Sequence, residues 1–66
     1  MRTYENTITW MAEQVYQRWQ KGEIGWKGSI GCECNTIAFI YNRQVFDVSQ
    51  DIWSEVINTY GDPLKS

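Results

Sequence analysis

The chain has 66 residues, of which 42% are hydrophobic and 15% aromatic, with six Lys and Arg against eight Asp and Glu for a net charge of −2, and no histidine. That length bounds it to one domain near the lower limit for folding alone, a size at which disulfides, metals or a second subunit often help. The charges are scattered, so the basic footprint of a nucleic-acid surface is missing, the commonest acid–base side chain of enzymes is absent, and no apolar run approaches a membrane span or the core of a signal peptide.

Residues 4–21 read as an amphipathic helix. Tyr4, Ile8, Met11, Ala12, Val15, Tyr16 and Trp19 recur at i, i+3, i+4 and i+7. Thr3 or Asn6 can cap the start, and Gly22 is a natural stop. Trp10 falls about 160° from the centre of this stripe, at roughly 100° per residue. Its helical neighbours Asn6, Glu13, Gln14 and Gln17 are polar, which leaves it on the outer face.

Gly25, Gly28 and Gly31 punctuate the next segment, while Ile24, Trp26, Ile30, Cys32 and Cys34 fall on even positions. Alternation of that kind predicts a strand over about 26–31, with the glycines marking turns or bulges. A phosphate-binding loop would need a strand before the glycines and a helix after them, and here strand-like residues follow.

Residues 34–41 and 44–48 carry β-formers on both sides of Asn42-Arg43, which predicts a hairpin with a two-residue turn. Pairing Phe39 with Phe46 and Ile37 with Val48 puts these four on the core face. The opposite face then holds Ala38, Ile40, Val45 and Asp47, with Ile40 and Val45 more apolar than a solvated face requires. Ser49 serves as N-cap of a helix over 50–60, Val48 and Trp53 form a hydrophobic staple, and Gly61-Asp62-Pro63 ends it. Residues 62–66 read as a short frayed tail.

The expected fold is therefore two-layer α+β in αβββα order: a helix, an antiparallel meander of two or three strands, and a helix. That order and the chain length resemble the double-stranded RNA-binding domain family. The resemblance is one of layout: where the family places basic residues at the start of its second helix, this chain has Ser49, Gln50 and Asp51.

Few groups point to chemistry. Cys32 and Cys34 would share a strand face, but a structural zinc site wants four ligands. A metal would therefore need a second copy to supply its own pair, and buried free thiols are the simpler reading. The serines have no visible base, and no pair of acids predicts a shared site, so no enzyme activity, cofactor or metal is expected. Trp26, Lys27, Tyr41 and Arg43 give a minimal set for stacking and charge on single-stranded nucleic acid, an alternative the charge balance disfavours.

The preferred expectation is a small cytoplasmic protein that binds another protein or a second copy of itself. Stand-alone proteins of this size are often regulators or inhibitors of bacteria and their mobile elements, phages included. Its contact residues are expected to be Trp10, Gln14, Gln17, Trp26, Ile40 and Val45, because surface aromatics and surplus apolar area mark interfaces.

Overall fold

Three α-helices make up the computed structural model, which describes residues 2–63: α1 (Tyr4–Gln20), α2 (Gly31–Tyr41) and α3 (Val45–Tyr60), with no strand among the described residues. The α+β expectation is overturned, and the resemblance in layout to double-stranded RNA-binding domains goes with it. The tail expected over 62–66 lies outside the described residues beyond Pro63.

α1 covers the segment marked by its apolar stripe. Thr3 caps it, its hydroxyl accepting from the Asn6 N–H at 3.1 Å. At the other end Gly22 adopts φ +78°, the Gly22 N–H donates to the Trp19 carbonyl and the Glu23 N–H to the Arg18 carbonyl. These two bonds satisfy carbonyls that the helix itself leaves free.

Residues 21–30 form a loop rather than a strand. A tight turn closes with the Gly28 N–H on the Gly25 carbonyl at 2.9 Å, and Lys27 takes the left-handed conformation at φ 57°. A Cβ on Gly28 would stand 2.9 Å from that same carbonyl oxygen, so the turn requires glycine there. Ile24 and Trp26 point inward from the loop and pack against the core.

The hairpin expected over 34–48 is two helices and the link between them. Asn42 has the positive φ that its residue type favours, 56°, but it ends a helix instead of turning a hairpin. The Arg43 N–H donates to the Ala38 carbonyl at 2.9 Å, the bond that closes a helix C-terminus on a left-handed residue. The true period of α2 is helical: Ile30, Cys34, Ile37 and Ala38 are buried, and Tyr41 packs at their edge. Residues 37–41 contain only one polar atom outside the backbone, the Tyr41 hydroxyl, so alternation and a 3.6-residue period fit them equally well.

The same ambiguity misplaces the start of α3. Val45, Val48, Ile52 and Val56 lie on one helical stripe, so the helix begins five residues before 50. Ser49 lies inside it and caps nothing. The supposed core face splits: Ile37 and Val48 are buried, while Phe39 and Phe46 are 89% and 75% exposed.

α1 and α2 each pack mainly on α3. The core joins Ile8, Met11, Ala12 and Val15 of α1, Cys34, Ile37 and Ala38 of α2, and Val48, Ile52, Trp53 and Val56 of α3. Fully burying such side chains contributes about 1.5–3 kcal/mol each, which makes this cluster the main source of stability.

Candidate protein-contact face

α1 and α2 lie side by side in opposite directions, tied together at both ends. Near the start of α2, Arg18 Nη1 donates to Glu33 Oε1 at 2.8 Å. Glu33 is held below the usual carboxylate range by hydrogen bonding to its own backbone N–H in the first turn of α2. Arg18 adds to this shift, and partial burial opposes it. At the far end the Thr7 and Tyr41 hydroxyls are 2.6 Å apart. Tyr41 donates to the Arg2 carbonyl at 3.2 Å, which leaves Thr7 to donate to Tyr41.

Tyr4 completes this end. Its ring meets Tyr41 edge-on at 5.6 Å, its hydroxyl donates to Asp51 Oδ2 at 2.6 Å, and the Arg43 guanidinium sits 4.0 Å from its ring centre. Burial, then the bond to the Asp51 carboxylate, pushes the Tyr4 phenol well above its ordinary pKa. Tyr4 therefore links α1 to α3 and to the link before α3.

Between these ties the two helices leave an open groove of about 370 Å³. Thr7, Trp10 and Met11 line it from α1, and Glu33, Thr36, Ile37 and Ile40 line it from α2. Trp10 is 47% exposed and Ile40 64% exposed. The Thr36 hydroxyl is turned back onto the Cys32 carbonyl at 3.1 Å, so it makes no demand on the groove. Arg2 lies over the Trp10 ring at 5.8 Å.

Two residues expected on a contact surface, Trp10 and Ile40, are thus brought to one groove, although Ile40 comes from a helix and not from an outer sheet face. Gln17 is exposed and Gln14 half-buried, both on the same side of α1 as Trp10. Val45 is 40% exposed at the start of α3 and does not line the groove. Trp26 is the clear correction. It is half-buried, with its ring centre 5.0 Å from Trp19 and 5.1 Å from Trp53, and it fastens the loop to the core. The indole N–H groups of Trp26 and Trp53 are buried without an acceptor. Their edge-to-face contact is a setting in which aromatic π density partly offsets such a donor.

Phe39 and Phe46, which the hairpin register places in the core, are the most exposed large apolar side chains among the described residues. A helical reading of residues 31–41 finds Phe39: it follows Cys32, Asn35 and Thr36 at i+7, i+4 and i+3 on the outer stripe. Phe46 overhangs a separate hollow of about 340 Å³ beside Lys27, Ser49, Gln50 and Trp53.

The two alternatives lose their geometric basis. On a helix, residues two apart point about 200° from one another, so Cys32 is exposed and Cys34 buried. They cannot face one metal together, and no cluster of three metal-ligating side chains occurs among the described residues. Burial pushes the Cys34 thiol up, with a hydrogen bond to Ser49 opposing it. Trp26 and Lys27 lie before α2 while Tyr41 and Arg43 lie at its far end, so the proposed nucleic-acid set is not assembled in one place. No helix among the described residues is long and apolar enough to cross a membrane.

Comparison with family models, with curated proteins and with solved structures returned no match.

Proposed function

We propose that this chain is a non-enzymatic protein-binding protein, a regulator or inhibitor in type, whose contact surface is the α1/α2 face around Trp10 and Ile40 and extends over Phe39. The observation that carries this reading is the character of α2. Its eleven residues contain one charged side chain, Glu33, already paired with Arg18 of the same chain. A helix that carries almost no charge on either side tends to be covered on both. Here one side is packed on α3 and the other stands open.

The open side has the anatomy of an interface centre. It combines a tryptophan, a phenylalanine and an isoleucine, with a recess between two helices able to receive an apolar side chain. Thr7, Glu33, Thr36 and Tyr41 are already hydrogen-bonded within the chain, so covering them strands none of these groups.

The test is parallel recovery of the tagged wild type and an Ile40→Ser, Trp10→Ala variant from the source cells. Both substitutions fall on exposed side chains, so the helical circular dichroism should be unchanged. A stoichiometric protein partner, or a second copy, that accompanies the wild type and is lost from the variant supports the reading. Identical recovery from both, with neither chain self-associating, overturns it.

A further inference from the structure

The geometry points to a second copy of this chain as the occupant of that face, the two α2 helices crossing in opposite directions about a two-fold axis. The proposal rests on the reading of the face as a protein contact and names what covers it.

A two-fold contact sets each surface against itself, so every charge on the patch meets its own like. Most surfaces of a protein rich in Lys and Glu fail this condition. The outer stripe of α2 meets it: Cys32, Asn35, Thr36 and Phe39 carry no charge, and Ile40 and Trp10 flank them. All six Lys and Arg of the chain lie outside α2. The cations bordering the face are also occupied within the chain: Arg18 holds Glu33, Arg2 covers Trp10 and Arg43 covers Tyr4. The cations beside the face are thus engaged within the chain, which leaves its uncharged stripe without the cationic steering that a contact with an acidic partner would use.

Placing the axis between Asn35 and Thr36 sets Phe39 against Cys32 of the second copy, a favourable pairing of ring and sulfur. The same placement brings the two Thr36 side chains close together.

Area decides how tight such a pair is. Phe39 is 89% and Trp10 47% exposed. At about 150–250 Å² per aromatic side chain, these two alone present on the order of 300 Å². A standard stable interface takes about 800 Å² from each partner. With Ile40, 64% exposed, added, the apolar part of the face stays below that area, so the dimer is a reversible one that dissociates on dilution.

Sedimentation equilibrium of the full chain over roughly 1 μM to 1 mM reads this directly. The wild type passes from monomer to dimer within that range. Thr36→Lys and Thr36→Glu each weaken dimerisation by about tenfold or more, because like charges then meet at the axis, and mixing the two variants restores a dimer of one of each. Phe39→Ser, an uncharged variant at an exposed position, weakens it as well, which keeps the proposal open to refutation if a charged variant loses its helical circular dichroism. A wild type that stays monomeric to the highest concentration overturns self-pairing. So does a dimer indifferent to both Thr36 and Phe39. A monomer that still recovers a different protein through Ile40 and Trp10 overturns self-pairing alone and leaves the protein-contact function standing.

Discussion

Ile37 and Phe39 are two residues apart, and a strand would place them together while a helix separates them. The substitutions Ile37→Ala and Phe39→Ala therefore test the fold and the free face at once. Ile37 is 6% exposed, and truncating a buried isoleucine to alanine costs about 2–5 kcal/mol. Phe39 is 89% exposed, so folding removes only about a tenth of its surface from water, roughly 20 Å² or about 0.5 kcal/mol. Alanine recovers a similar amount through its higher helix propensity, so the net change is near zero. A domain of 66 residues has a total stability of roughly 3–10 kcal/mol. Ile37→Ala should thus remove a large part of it, and Phe39→Ala almost none. Urea and thermal unfolding followed by circular dichroism measure both, at low micromolar chain concentration so that self-association does not contribute. In this size class 1 kcal/mol moves Tm by about 4–8 °C. A loss of more than about 2 kcal/mol for Phe39→Ala refutes the helical placement of α2 and the exposed face with it.

Four further outcomes are expected. At Asn42, glycine should be neutral or mildly stabilising, while valine should cost about 1–2 kcal/mol, because its Cβ clashes in the left-handed conformation that closes α2; equal denaturation midpoints for the two would contradict this. In the folded protein a thiol reagent should modify Cys32 promptly and Cys34 only at the rate of opening or unfolding, so that mass spectrometry finds one fast site. Burial raises the Cys34 thiol above its ordinary value of 9.0, so its contribution to stability is full below that value and lost as pH rises through the raised pKa. The wild-type midpoint should therefore fall more steeply above about pH 9 than that of Cys34→Ala. Glu33 has the opposite sign: its carboxyl is held down from 4.5, so its stabilisation is present above that pH and lost as pH falls below it. Glu33→Gln should flatten the acid side of the stability curve by a small amount, since the pair is partly open to solvent.

The link between the open face and the ambiguous sequence is physical. Amphipathic segments reveal their period because water demands polar residues on one side. α2 has apolar or small neutral residues on both sides, so its sequence shows no contrast from which a period could be read. The property that conceals the secondary structure of α2 is also the one that leaves its outer stripe to be covered.

Residues alone determined a good deal. The span of α1 follows from its stripe and from the chemistry of Thr3 and Gly22. The positive φ at Asn42 follows from its residue type, and the exposure of Trp10 follows from its angle on α1. These are local matters, settled by spacing and by what each backbone position tolerates. Tertiary structure decided the rest. Whether Asn42 turned a hairpin or closed a helix depended on whether residues 45–48 paired with α2 as a strand or packed on it as part of α3. The burial of Val48, Ile52 and Val56 against both other helices favours the second arrangement, outweighing the β preference of the segment. Trp26 moved inward because Trp19 and Trp53, distant in sequence, meet it in space. Phe39 moved outward because only one side of α2 can face α3, and that side was taken by Cys34, Ile37 and Ala38.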